Sequence, residues 1–401
     1  MPSAHIESRR PSLRSILGKV HLWIGLALCL PLAVIGITGS ILVFEPELQA
    51  LERPALPPRP ADAPTAPVAA IVATARAAAP ADYVAMFYTA PRAATDVATV
   101  RLAPAGRPGP GAGLEIFVNP VSLSLLGPHE ASSGLVRQIF LLHANLLSRD
   151  RSGRDIVGWL GIAMLALGTS GLVLWWPRGG QWRRAFTIRR GARGFRFHRE
   201  LHGAAGIWGL VVFFIVSFSG VYLAFPQAVG SLLSTRDIRP GAAAIRVTPV
   251  PTAQPLDIDG AIAVAREVVP DGILRSVALP ARPDQPIRVA LAHGGDREGA
   301  PVATVFVDPW TRSVVELRDP RAFSAGERFV AWQRALHVGG GLGWIWRILV
   351  FLSGFLPLLF AVTGVAMWLA KRRLRRGSAS YPPSANLRNE RMDGITASST
   401  D

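Results

Sequence analysis

Residues 202–225 read HGAAGIWGLVVFFIVSFSGVYLAF, and residues 21–44 read HLWIGLALCLPLAVIGITGSILVF. Each stretch opens on histidine, has glycine four residues later, a hydroxyl–glycine pair at 17 and 18, and phenylalanine at 23. The equivalences are His21 with His202, Gly25 with Gly206, Gly39 with Gly220 and Phe44 with Phe225. Neither stretch contains Asp, Glu, Lys or Arg. At 1.5 Å per residue, about 20 apolar residues cross the ~30 Å hydrocarbon core of a bilayer. Both stretches therefore read as spanning helices, and the chain reads as an internal duplication.

The apolar runs are Val20–Phe44, Ile156–Trp176, Gly203–Phe225 and Ile345–Leu369. The second and fourth also match one another. His143 precedes Gly171 by 28 residues and His337 precedes Gly364 by 27, with Trp175 and Trp368 four residues beyond each glycine. The first run is too long for a signal peptide, and FEPELQALERP follows it in place of a small-residue cleavage site; it reads as an uncleaved anchor.

The chain has 401 residues, half of them hydrophobic, and a net charge of +16. Four basic residues lie in the first 20, eight arginines lie in residues 178–199, and five more basic residues form KRRLRR. With four spans these three segments share one side, which the positive-inside rule makes the cytoplasm. The charge is thus assigned to topology in preference to nucleic-acid binding. The single cysteine, Cys29, lies in the first span, which excludes internal disulfides, cysteine-based zinc sites and iron–sulfur clusters. Metal chemistry is left to histidine.

The two long segments fall outside. EIFVNPVSLSLLG (115–127) resembles TVFVDPWTRSVVE (304–316), each a strand, a turn at Asn119-Pro120 or Asp308-Pro309, and a second strand. Each follows an alanine-rich helical stretch, at 67–80 and 257–270. The expected fold is a mainly α membrane protein, with four transmembrane helices in two repeats and two small periplasmic α+β modules. The expected boundaries are an N-terminus at 1–19, a span at 20–44, a module at 45–131 and an interfacial helix plus span at 132–177. A basic loop follows at 178–199, then a span at 200–226, the second module at 227–324, an interfacial helix plus span at 325–370, and a tail at 371–401. His143 precedes Trp176 by 33 residues, about 50 Å of straight helix. LLSRDRSGRD (146–155) is therefore expected to break it, leaving 134–147 as an amphipathic helix at the surface.

Four of eight histidines carry the repeat, with His21 and His202 near the cytoplasmic face and His143 and His337 near the outer one. Two imidazoles on facing helices are what a b-type haem requires, so the pattern predicts two haems and an electron path between the faces. Gly25, Gly203, Gly206, Gly339, Gly340 and Gly341 are candidates for close approach of the ring. Arg14, Arg196, Arg199, Arg137 and Arg334 are candidates for its propionates. Zinc or copper at a histidine pair competes, without an acidic or thiol ligand in register. His198, one turn before His202, has no counterpart in the first repeat; it is a further ligand candidate, a near-haem polar group or a propionate partner. His5 falls in the terminus and His129 and His293 in outer loops, with no assigned role. The Thr/Ser-Gly pairs read as helix-packing sites. Trp175, Trp176, Trp344, Trp346 and Trp368 read as interfacial belts.

The motifs HLWIG with ITG, LLH with TSGLVLWWPR, RELHGAAGIW, and RALHVGGGLG with VTGVAMWL resemble the PepSY-associated transmembrane proteins, a bacterial inner-membrane family. The outer modules resemble PepSY domains, and the resemblance covers all but the termini. HGAAG departs from the usual family form, in which a basic residue follows this histidine. The resemblance implies an iron-regulated membrane protein or ferric-siderophore reductase with two b-type haems, and His21, His143, His202 and His337 as axial ligands of the haem iron. The expected function is a multi-pass inner-membrane protein with cytoplasmic termini. It would carry electrons from a cytoplasmic reductase or quinol to a periplasmic ferric siderophore or other ferric chelate, with no side-chain acid or base. The loop and tail are too short for a flavin or nicotinamide domain and carry no Gly-rich fingerprint, so the donor is external. Two alternatives stand beside this: a membrane-anchored PepSY binding module without enzymatic activity, and a haem or metal-chelate transporter. The second lacks a midplane break with ionisable residues.

Overall fold

A computed structural model describes residues 12–54, 56, 64–106, 113–130, 134–148, 150–177, 179–232 and 245–379. His5, Arg149, Arg178 and the C-terminal residues from 380 lie outside the described residues. The helices are α1 (Leu13–Leu42), α2 (Glu45–Glu52), α3 (Val68–Ala77), α4 (Leu135–Asn145), α5 (Ser152–Trp175) and α6 (Trp182–Ala185). They continue with α7 (Gly194–Ala224), α8 (Pro226–Leu232), α9 (Ile258–Val268), α10 (Ala325–His337), α11 (Trp344–Ser353) and α12 (Leu356–Ala379). Four stretches are long and apolar enough to cross a membrane: Leu13–Leu42, Ser152–Trp175, Gly194–Ala224 and Trp344–Arg376. The protein is a multi-pass membrane protein.

The spans form one bundle in which α1 and α7 each pack against both α5 and α12. Small residues let the backbones close, as in other lipid-embedded bundles. Gly161 of α5 faces Val221 of α7, and a Cβ there would lie 2.9 Å from the valine side chain. Leu30, Trp159, Trp208 and Ile345 point outward with most of their surface uncovered, as side chains facing lipid do. The fourth apolar run forms one candidate span, Trp344–Arg376, built from two helices, α11 and α12. It is interrupted at Gly354–Phe355, where Gly354 crosses Gly36 of α1 so closely that a side chain would run into Ser40. Ser40 Oγ donates to the Phe351 carbonyl freed there, at 2.7 Å. Arg347, the one charge in that run, ends at the Val43 carbonyl (2.9 Å) and Glu47, a cation on the carbonyl end of α1.

Between α4 and α5 the chain breaks where the length argument requires it. Leu146 and Leu147 are left-handed, with φ of 52° and 58°, and Asp150 accepts from the Ser152 amide at 3.1 Å. Helix α10 starts on a capping box of Ser324 and Glu327. It ends in a turn through Gly339, Gly341 and Gly343, all at positive φ.

The outer segments, read as two modules, contribute four strands each to one antiparallel sheet: β1 (Tyr83–Thr89), β2 (Ala98–Pro104), β3 (Leu114–Val118), β4 (Leu125–Glu130), β5 (Gly272–Ala278), β6 (Ile287–His293), β7 (Ala303–Val307) and β8 (Val314–Arg318). The order is β4-β3-β2-β1-β5-β6-β7-β8. The segments join where β1 pairs β5, Tyr88 opposite Val277. Helices α3 and α9 cover one face, burying Ile71, Ala75, Val100, Leu102, Val289 and Leu291 in a common core. Asp259 of α9 accepts from the Val68 and Ala69 amides at 2.8 and 2.9 Å, capping α3 across the join. At the two turns Asn119 and Asp308 side chains accept from the amides of Val121 (2.9 Å) and Trp310 (2.8 Å), the Asx geometry the Asn-Pro and Asp-Pro steps favour.

His293 corrects the outer-loop expectation. It ends β6, is 5% exposed, and sets Nδ1 and Nε2 each 2.9 Å from a carboxylate, of Asp271 and Asp319. Burial alone would lower its pKa, but the hydrogen bonds to Asp271 and Asp319 outweigh that and raise it. His129 lies in β4 opposite Glu115, again in a strand where a loop was expected.

Candidate functional site

The four repeat-matched histidines meet in two pairs. His21 of α1 faces His202 of α7, ring centroids 6.4 Å apart and planes at 71°. His143 of α4 faces His337 of α10, centroids 6.1 Å apart and planes at 46°. The first pair lies toward the basic loop and tail, the second toward the sheet. The basic-end histidines sit on spanning helices; the sheet-end ones sit on short helices that precede spans.

Each imidazole is anchored at Nδ1 by the hydroxyl of a Ser/Thr-Gly pair. His21 Nδ1 lies 2.8 Å from Ser170 Oγ and His202 Nδ1 2.8 Å from Thr363 Oγ1. His143 Nδ1 lies 3.1 Å from Thr38 Oγ1 and 3.0 Å from the Ile35 carbonyl. His337 Nδ1 lies 3.1 Å from Ser219 Oγ and 3.0 Å from the Val216 carbonyl. At the sheet end the Ile35 and Val216 carbonyls can only accept, so His143 and His337 carry hydrogen on Nδ1 and present a bare Nε2, the form that ligates metal. At the basic end the Ser170 and Thr363 hydroxyls also lie 2.8 and 2.7 Å from the Ala166 and Leu359 carbonyls of their own helices; donation there leaves a lone pair for an Nδ1–H of His21 and His202, the tautomer that ligation through Nε2 requires.

This corrects the reading of these pairs as helix-packing sites alone. The hydroxyl holds the ring and the adjacent glycine makes room for it. A Cβ at Gly39 would lie 2.9 Å from His143 Cε1, and at Gly220 3.1 Å from His337 Cε1. At Gly171 it would lie 3.4 Å from His21 Cε1, and at Gly364 it would meet nothing within 4 Å. Histidine and hydroxyl are 105 to 161 residues apart, so no local motif announces the bond.

A cavity of about 810 Å³ surrounds the basic-end pair. Gly25, Gly203 and Gly206 line it as expected, with Leu26, Leu167, Leu210 and Phe360 as apolar wall. Its mouth carries Arg184, Arg189, Arg199, Lys371, Glu200 and Gln181. Of the arginines proposed for that end, Arg199 reaches the cavity. Arg14 is committed to the Leu174 carbonyl and Arg196 to Glu200 at 3.1 Å. Arg184, Arg189 and Lys371 were missed, because only arginines near a candidate histidine in sequence were considered as partners. His198 is not among the lining residues. Its ring lies against Phe197, and Nδ1 is buried without a hydrogen-bond partner among the described residues.

Trp175 and Trp368 line this cavity too, and the indole of Trp175 donates to the Ala185 carbonyl at 3.0 Å. Trp346 donates to the Leu336 carbonyl beside His337 at 3.1 Å. Trp175 and Trp346 are thus tied to the bundle at the ends of their spans, and Trp176 and Trp344 are exposed. Gly339 packs on Arg347, and Gly340 and Gly341 pack on Gly299 and Trp332. They shape the turn after α10 and leave the His337 ring to Gly220. Near the sheet-end pair, Glu45 is half-buried among Arg334, Arg137 and Arg53; burial raises its pKa against the pull of the three cations. Arg137 stacks over Phe140. No group of three or more His, Cys, Asp or Glu side chains that could hold a metal ion occurs among the described residues. Each pair offers two nitrogens alone.

These features define a membrane protein whose spans bring paired histidines together at both ends of the bundle, beneath a sheet built from the intervening segments. A family model for the PepSY-associated TM region matches residues 19–371, all four histidines included, and the chain belongs to that family. No curated protein matches it.

Proposed function

We propose that each histidine pair holds one b-type haem and that the protein carries electrons across the membrane, from a cytoplasmic reductase or quinol to a ferric siderophore or other ferric chelate in the periplasm. The observation that supports this best is that the four repeat-matched histidines meet in two facing pairs, each imidazole held at Nδ1 by a Ser or Thr hydroxyl. The spacing fits as well. A metal–imidazole bond of about 2 Å on each side, plus roughly 1.1 Å from nitrogen to ring centre, places two axial imidazoles about 6.3 Å apart. The pairs measure 6.4 and 6.1 Å. A zinc or copper site of usual coordination needs further protein ligands, and among the described residues neither pair has them.

Haem supplies reversible one-electron chemistry at a potential set by its axial ligands and surroundings. The protein's part is positional. Ser170, Thr363, Thr38 and Ser219 orient the imidazoles. Leu26, Leu167, Leu210 and Phe360 keep water from the basic-end cavity, and Arg199, Arg184 and Lys371 face the carboxylates of an amphiphile seated there. The basic end is cytoplasmic by the positive-inside rule, so the sheet is periplasmic. Its β1–β5 join makes one platform of two PepSY-like halves, the product of a duplicated helix–module–helix unit.

The test is an optical spectrum of the detergent-purified protein, oxidised and dithionite-reduced, with haem quantified as the pyridine haemochrome. About two b-haems per chain, reoxidised on addition of a ferric siderophore, is the expected result. A colourless protein from haem-supplied cells overturns the reading.

A further inference from the structure

Resting on the haem reading, we infer that the two centres are held by unequal acceptors: the Ser/Thr hydroxyl is the sole anchor of each imidazole N–H at the basic end, and one of two at the sheet end. At the sheet end each Nδ1–H faces a hydroxyl and a backbone carbonyl together, Thr38 with Ile35 for His143 and Ser219 with Val216 for His337. The carbonyl in each case lies three residues before the hydroxyl on the same helix. The equivalent carbonyls at the basic end, of Leu167 and Phe360, lie 3.1 and 3.4 Å from the Ser170 and Thr363 hydroxyls, as the sheet-end carbonyls do from theirs at 3.1 and 3.0 Å. Among the described residues they receive nothing from His21 or His202. Residues in the same sequence motif therefore do different jobs at the two ends.

The consequence is electronic. An acceptor on the distal N–H of a ligating imidazole raises the basicity of the ligating nitrogen and favours the more positive metal. Removing the acceptor favours the reduced form and raises the potential. At the basic end removal is complete, because Ser170→Ala or Thr363→Val leaves the N–H facing apolar groups. At the sheet end Thr38→Val or Ser219→Ala leaves the carbonyl in place. Ser170, Thr363, Thr38 and Ser219 are positioning residues, and the first two carry the greater share.

The experiment compares these four variants with the wild type in the full-length, haem-loaded protein, by haem per chain and by optical redox titration. Ser170→Ala and Thr363→Val are each expected to raise one midpoint by about tenfold in the reduction equilibrium, about 59 mV for one electron, or to lose one haem per chain. Thr38→Val and Ser219→Ala are expected to shift it threefold or less and keep both haems. The hydroxyl-retaining Thr363→Ser and Ser170→Thr are expected to stay at the wild-type potential. Equal shifts at both ends, no shift at the basic end, or conservative variants that move like the apolar ones would overturn the proposal alone. A wild type without haem would overturn the reading beneath it as well.

Discussion

The two histidine pairs are alike in spacing and unlike in support. His21 and His202 ride on the spanning helices α1 and α7, facing a cavity open toward a cationic mouth. His143 and His337 ride on helices of 11 and 13 residues, α4 and α10, which end in a left-handed leucine pair and a three-glycine turn. Such short helices are marginal alone. Their histidines are placed by what α1 and α7 offer at the far end: hydroxyl, carbonyl and a glycine with no room for a methyl. The basic-end pair is built by bundle packing, and the sheet-end pair by docking.

The sharpest way to break that comparison is to remove one ligand. His143→Ala and His202→Ala are each expected to lose one haem and keep the other, read by haemochrome stoichiometry; loss of both from either variant would show that the sites do not stand separately. Gly39→Ala and Gly220→Ala should come next. Each drives a methyl into a clamped imidazole, about 1–3 kcal/mol of overpacking, so sheet-end haem occupancy should fall while the basic end is spared. Gly364→Ala, with open space around it, should leave the spectrum unchanged. Arg199→Gln tests the cationic mouth. Haem should pass to an apoprotein acceptor about fivefold faster from the basic-end site, the worth of one partly exposed charge contact.

The smallest effect concerns the sheet. His293 is held as an imidazolium between two carboxylates, and its pKa in the fold is raised above 6.5. Below pH 6.5 the folded and unfolded chains are both protonated there and the stabilisation is present in full; it is lost as pH rises through the folded value. The melting temperature of the purified protein should therefore decline as pH rises from about 6.5, by about 2 °C, and His293→Gln should remove that dependence.

Much of this was legible in the sequence. The repeat picked out His21, His143, His202 and His337 from eight histidines, and helix length placed the break within 146–155. The turn chemistry of Asn119-Pro120 and Asp308-Pro309 located β3–β4 and β7–β8. The other four strands escaped, since their apolar and small residues announce no turn of that kind between them. The role of Thr38, Ser170, Ser219 and Thr363 was hidden for another reason. A hydroxyl beside glycine in an apolar helix is a common packing device, and its imidazole partner arrives from a distant part of the chain. His293 looked like a loop residue because strand β6 ends on it and two glycines follow.

Helices α1 and α7 each carry a histidine of one pair and, 17 residues further on, the hydroxyl that holds a histidine of the other: His21 and Thr38, His202 and Ser219. Seventeen residues of continuous helix measure about 26 Å. The two rods thus act as matched gauges, fixing the interval between the basic-end and sheet-end pairs in covalent structure. A single residue inserted between histidine and hydroxyl would rotate one against the other by about 100° and put both gauges out of true.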